Sequence, residues 1–261
     1  MGLLLCVMSL LGADLFQDTF AEGNGAYQQG VYGDAVAAYE RLVDSGVVDS
    51  AVFYNLGNSY FQAGDLGGAV ANYERALQVA PGHILASENL GLVLKATERN
   101  LAKPGGRAWE ETFLFWDDGL SKAVVWRLCI LFWFLCWGCL MMRSWRGLAY
   151  GRSLTVFLGI VAVFMGLSVY AKTWPAVYAV ARDEAVAVRF GKDTGHAVRF
   201  ELFAGDRVLI DDEDGDWLRV MTVDKERGWV EASSMVVVGP PYSGFSDVVV
   251  DEDGREKDRI E

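Results

Sequence analysis

The sequence predicts a multidomain chain: an α-solenoid of helical repeats, a two-helix transmembrane hairpin and a small all-β barrel. Three observations predict it. A residue pattern recurs at a spacing of 34 over positions 19–101, two long apolar runs occupy the middle, and short β-rich runs separated by glycine turns fill positions 180–238. The first is the mark of stacked helix pairs, the second of bilayer spans, the third of a small barrel or sandwich.

Charge divides the chain in the same way. Residues 14–120 hold 15 acids and 6 bases, residues 121–175 hold 6 bases and no acid, and residues 176–261 hold 20 acids and 11 bases. Two acidic blocks therefore flank a basic, apolar centre, which explains a positive mean hydropathy of +0.19 in a chain that is 22% charged. Nucleic acid is excluded as a partner, because phosphate binding needs a basic footprint.

Residues 1–13 contain an apolar run of about 12, which suits a signal-peptide core or an N-terminal anchor and is too short to cross a bilayer. Cleavage after Ala13 is one reading and an uncleaved anchor the other. No basic residue precedes the run, and Leu11 at the −3 position is not small.

Residues 16–101 carry the repeats and a capping helix. Phe53, Leu56, Gly57 and Tyr60, then Ala69 and Tyr73, then Ala76 and Pro81 form the fullest copy. Gly57, Asn58, Gly64, Ala69 and Tyr73 have counterparts 34 residues earlier in Gly23, Asn24, Gly30, Ala35 and Tyr39, and Leu56 and Gly57 have later ones in Leu90 and Gly91. The spacing predicts two helix pairs and a third first-helix over 84–101. Gly57 and Ala69 are small where paired helices cross. Gly64-Asp65 and Pro81-Gly82 end helices. One pair cannot bury its apolar face alone, so a neighbour must cover it.

Residues 102–120 read as a linker: Pro104-Gly105-Gly106 breaks the helix, and Trp109, Phe113, Phe115 and Trp116 suit a membrane surface. Residues 121–174 form the hairpin, with spans at 123–142 and 154–171. Arg143, Arg146 and Arg152 lie between the spans, against single lysines, Lys122 and Lys172, on the outer flanks. The positive-inside rule puts that loop in the cytoplasm and both acidic blocks outside. Both acidic blocks are then expected to face the periplasm or its equivalent.

Residues 180–239 are the barrel, with strands expected near 185–190, 197–203, 207–211, 217–223, 227–231 and 235–238. Asp211–Asp214 reads as a solvated acidic turn, lacking the spacing of a calcium loop. Trp217 and Trp229 are either ligand-stacking residues or core. Residues 240–261 read as an acidic disordered tail.

Chemistry is scarce. The four cysteines are Cys6, Cys129, Cys136 and Cys139, so neither acidic block has a disulfide framework or a cysteine zinc site. Cys136-Trp137-Gly138-Cys139 matches C-x-x-C, either a membrane thiol oxidoreductase pair or ordinary filler of an apolar helix. His83 and His196, the two histidines, have no motif partner. Nucleotide, hydrolase and metalloprotease motifs are absent, so no enzyme activity, cofactor or metal is expected.

The polar residues that recur are amides. Asn24 and Asn58 are 34 apart, as are Asn55 and Asn89, and Gln62 repeats Gln28 while Phe61 matches Tyr27. Asn55 and Asn58 share one helix face. First helices line the concave side of such a stack, so Asn24, Tyr27, Asn55, Asn58, Phe61, Gln62 and Asn89 are the candidate peptide-binding groove. The alternative is that the amides bond the neighbouring repeat's backbone and bind nothing.

The 34-residue block resembles tetratricopeptide repeats. Gly205-Asp206-x-Val208, Asp216-Trp217-Leu218-x-Val220 and Gly228-Trp229-Val230 resemble bacterial SH3-type domains. The order of leader, repeats, two spans and SH3-like block resembles BatE proteins of the Bacteroides aerotolerance operons. That resemblance implies a bacterial inner-membrane protein whose soluble domains face the periplasm, working beside von Willebrand A-domain proteins and a MoxR-type ATPase in envelope stress or aerotolerance; the function expected is that of a non-enzymatic membrane scaffold. The SH3 resemblance implies peptidoglycan as an alternative ligand.

Overall fold

The computed structural model describes residues 2–99, 104, 113–114, 120–146, 152–173 and 177–240. Most of the linker, the loop arginines' side chains and the C-terminal tail lie outside them. The chain divides into two units: one made of Met1–Val79, His83–Pro104 and Val177–Glu261, the other essentially Gly105–Ala176.

In the first unit, α1 (Gly2–Gln28) pairs with α2 (Tyr32–Asp44), α3 (Ser50–Ala63) pairs with α4 (Leu66–Val79), and α5 (Ile84–Ala96) covers α4. The leader and the first repeat helix are one continuous helix. The 34-residue register appears in the backbone itself. Gly30 and Gly64 take left-handed φ of 78° and 88°. At each, the glycine N–H and the next N–H reach back to carbonyls three and five residues earlier, the closure that only a residue without Cβ makes cheaply. Asp49 caps α3, its carboxylate accepting from the N–H groups of Ala51 and Val52. The crossings are knobs in holes. A Cβ on Gly23 would lie 2.8 Å from the Tyr39 ring, and one on Gly57 2.9 Å from the Tyr73 ring.

Helix α5 stops at Ala96, short of the expected 101. Thr97 is extended (φ −71°, ψ 152°) and its hydroxyl donates to the carbonyl of Leu94.

The β-rich segment belongs to the same unit. Its strands are β1 (Tyr178–Ala181), β2 (Val186–Arg189), β3 (Val198–Leu202), β4 (Arg207–Asp214), β5 (Trp217–Met221), β6 (Arg227–Glu231) and β7 (Met235–Val238). All pairs are antiparallel, in the order β3-β2-β6-β5-β4-β1-β7. The expected barrel is therefore an open sheet among the described residues. Strand β1, which the sequence reading did not foresee, inserts between β4 and β7, and β7 is covered by α4 instead of by β3. Covering an edge with a helix serves the same end as closing a barrel. Asp211–Asp214 is also corrected: it is the second half of β4, after a register shift between Ile210 and Asp212. Its carboxylates are held by Arg219, Arg227 and Lys192, so strand pairing and cation pairing replace the expected turn.

Helix α4 is buried on all sides from Gly67 to Ala76. Tyr178, Val180, Val236 and Val238 of the sheet lie in the same apolar core as Phe53, Leu56 and Tyr73 of the helices. A second core, including Val188, Leu202, Val208 and Val220, lies within the sheet.

The second unit holds α6 (Lys122–Arg146) and α7 (Arg152–Thr173), packed on each other. Each contains 21 residues long and apolar enough to cross a membrane, and only 6% and 17% of those windows are buried. Trp133, Phe134, Phe157 and Val163 are exposed. A soluble core hairpin would hide them. Small residues line the contact: Cys136 Sγ lies 3.9 Å from where a Gly159 Cβ would sit, and Ala162 and Ser168 are buried.

Candidate functional site

The amide ladder is a connected network. Asn24 Oδ1 accepts from the Tyr39 hydroxyl at 2.8 Å and from Asn55 Nδ2 at 3.4 Å. One repeat later, Asn58 Oδ1 accepts from the Tyr73 hydroxyl at 2.6 Å and from Asn89 Nδ2 at 2.8 Å. Each first helix thus ties its own second helix and the next first helix through one carbonyl. The bonds go to neighbouring side chains, not to the neighbour's backbone. A half-buried asparagine repays its poor helix propensity here by satisfying a phenol that would otherwise be buried without a partner.

What the network leaves is a cavity of about 230 Å³ lined by Tyr27, Tyr54, Asn58, Phe61, Gln62, Asn89 and Leu92. Five of the seven expected groove residues meet there. Asn24 and Asn55 do not line it and belong to the network alone. Tyr54 and Leu92 are additions. Tyr54 precedes Asn58 by one helical turn, a signal the helix spacing carried. Leu92 occupies the register position of Asn24 and Asn58, but leucine breaks the amide pattern. None of the lining residues is charged.

His83 is placed more definitely than a surface residue. Its Nδ1 accepts from the N–H of Ala86, capping α5, and its ring lies 4.9 Å from that of Tyr54. It supports the groove wall. His196 sits exposed in the β2–β3 turn.

Burial shapes the titration of the network. The Tyr39 phenol is pushed up to about 12, chiefly by desolvation, and Tyr60, Tyr73 and Tyr27 are raised by the same cause. A folded-state value above the unfolded value means that the stability Tyr39 carries is full below about pH 10 and is lost as pH rises through about 12. Urea unfolding at about pH 8 and about pH 11 should show this loss. Tyr39→Phe should reduce it while costing about 1 kcal/mol at neutral pH for the missing bond.

On the sheet, neither Trp217 nor Trp229 belongs to the core. Both alternate with the buried Leu218, Val220 and Val230 and are half-buried on the outer face. The reading of them as core residues is corrected: strand alternation puts them on the side of Arg219, which pairs directly opposite Trp229. Lys192 Nζ lies 4.4 Å and Arg219 Cζ 5.6 Å from the Trp229 ring centroid.

Cys129, Cys136 and Cys139 are free thiols, and Cys136 Sγ donates to the carbonyl of Thr155 at 3.8 Å. Among the described residues no group of three or more His, Cys, Asp or Glu could hold a metal ion.

The helix pairs with their 34-residue register define a tetratricopeptide-type array, and the antiparallel sheet has the strand makeup of a small SH3-like module. Residues 20–99 match the tetratricopeptide repeat family and residues 184–236 match the bacterial SH3 domain family. No curated protein matches the chain.

Proposed function

We propose that this protein is a non-enzymatic, membrane-held adaptor that recruits a protein partner through the cavity between Tyr27 and Leu92. The observation that carries this reading is the groove itself: three aromatic rings and three amides, in a repeat type associated with protein binding, with no charged residue in the lining. Residues 15–99 hold ten acids and four bases. An anionic peptide or a free carboxyl terminus is therefore disfavoured, and the preferred partner segment presents an apolar or basic side chain, which rings and amide oxygens accept. Adaptors of this kind act by raising local concentration.

A photo-crosslinking side chain at Leu92, in the intact protein in its membrane, tests the groove. Adducts to a defined partner segment are expected there and not from Val48, which is equally exposed but lies outside the groove. Equal yields at the two positions would remove it. Asn58 is a poor probe, because its replacement also breaks the inter-repeat network.

The likeness in domain order to BatE proteins supports an inner-membrane setting, periplasmic soluble domains, and partners among von Willebrand A-domain proteins and a MoxR-type ATPase system in envelope stress or aerotolerance. The loop arginines support a cytoplasmic bend. Reporter fusions after residues 118, 147 and 240 should read outside, inside, outside.

Peptidoglycan binding by the sheet is a second reading, favoured by the outward placement of Trp229 between cations. Detergent-solubilised full-length protein should co-sediment with purified wall material, and Trp229→Ala should lower the bound fraction several-fold. The third reading, thiol exchange at Cys136 and Cys139, has no supporting neighbour among the groups described around them.

A further inference from the structure

The helices and the sheet are one body, yet the stretch that contains α6 and α7 separates them in sequence. Their contact is not superficial. The Glu74 carboxylate, 2% exposed, accepts from Arg207 Nη1 at 2.8 Å and from the Tyr178 hydroxyl at 2.8 Å. Arg207 is 6% exposed. Arg75 donates to the carbonyl of Val237 at 2.7 Å. Arg182 pairs with Asp65 at 2.9 Å, and Arg99 with the buried Asp206 at 3.0 Å. A Cβ on Gly67 would lie 2.4 Å from the carbonyl oxygen of Ala181, so the backbones of α4 and β1 touch.

Groups of this kind do not tolerate separation. Glu74, Arg75 and most of the surface of α4 would face apolar surroundings or water without their partners, and an ion pair broken in the interior is strongly destabilising. The sheet must therefore reach α4 in the same aqueous compartment. A chain that leaves this body after Pro104 and rejoins it at Val177 has to cross a bilayer an even number of times between those residues, whatever the charge of the intervening loop. Two spans satisfy that requirement, and one span would not.

We propose that α6 and α7 are a membrane hairpin inserted, within the stretch between Pro104 and Val177, into a single soluble body. Its two halves close on each other through Glu74, Tyr178 and Arg207 on one face of the bilayer, after the second span has crossed. The inference rests on the membrane reading of α6 and α7. It goes beyond it in making the repeats and the sheet one clasped receptor, not two modules on separate tethers. It also fixes the order of assembly, because α4 stays incomplete until the C-terminal strands arrive.

The test uses full-length protein in native membranes with its four cysteines replaced by serine and with Asp65→Cys and Arg182→Cys introduced. A short bis-maleimide is applied, and a protease site placed at residues 147–151 is then cut in detergent. Expected are two half-size bands before crosslinking and one full-length band after it, with neither single-cysteine protein shifting. Two separate halves after crosslinking, or only dimer-sized products, would overturn the clasp. Alkaline carbonate extraction tests the membrane reading separately. A crosslinked protein that washes off the membrane would overturn the hairpin while leaving the soluble body intact.

Discussion

Glu74→Ala will cost the soluble body about 3–5 kcal/mol, the range for breaking a buried ion pair from one side. That is a large share of the 5–15 kcal/mol that a domain has. The cost arises because Arg207 keeps its charge in a site closed to water, and because the Tyr178 hydroxyl loses its acceptor. Urea unfolding of the detergent-solubilised protein, followed by near-ultraviolet dichroism, measures it. Arg207→Ala alone should cost a similar amount. The Glu74→Ala, Arg207→Ala double variant should cost clearly less than the sum, since the second change removes the stranded charge. Additive losses would mean that the two side chains do not depend on each other.

Gly67→Val should separate the sheet from the helices. The new side chain meets the Ala181 carbonyl oxygen at 2.4 Å and the Arg182 Cα at 2.6 Å. Both are backbone atoms, so no rotamer relieves the contact. The loss should reach about 1–3 kcal/mol or more, the range for overpacking. It should be local, with faster amide exchange in β1 and easier proteolysis near residues 177–182 while α1–α3 remain protected. The register counterpart Gly33 has open space around it, so Gly33→Ala should stabilise by up to about 1 kcal/mol through helix propensity. The opposite signs at two glycines 34 residues apart isolate the docking of the sheet as the cause.

Much of the cavity's lining was legible in the sequence. The asparagines at a spacing of 34, with Tyr27, Phe61 and Gln62 one turn on, fall on one side of the first helices because a helix brings residues three and four apart together. What the asparagines do there was not legible. Their partners, Tyr39 and Tyr73, lie on the second helices, and the same residue pattern serves a ligand or a neighbour equally well. Trp217 and Trp229 fall between these cases. Alternation in Trp217-Leu218-Arg219-Val220 puts Arg219 on the tryptophan side, which already argued for the outer face, but a period of two does not say which side is covered.

By itself the sequence determined the local parts: the helix pairs, through Gly23, Gly30, Gly57 and Gly64; the membrane-length helices, through long apolar runs; and six of the seven strands. Each depends on neighbours a few residues away or on an exact repeat, where backbone sterics and periodicity decide. Only the tertiary structure decided that β1 exists, that the sheet stays open with its β7 edge against α4, and that Glu74 answers Arg207. The last two depend on groups more than a hundred residues apart, on either side of the two long apolar helices, and β1 depends on its pairing with β4 and β7. A lone acid in α4 and a lone base in β4 read as solvated charges until packing removes the water between them.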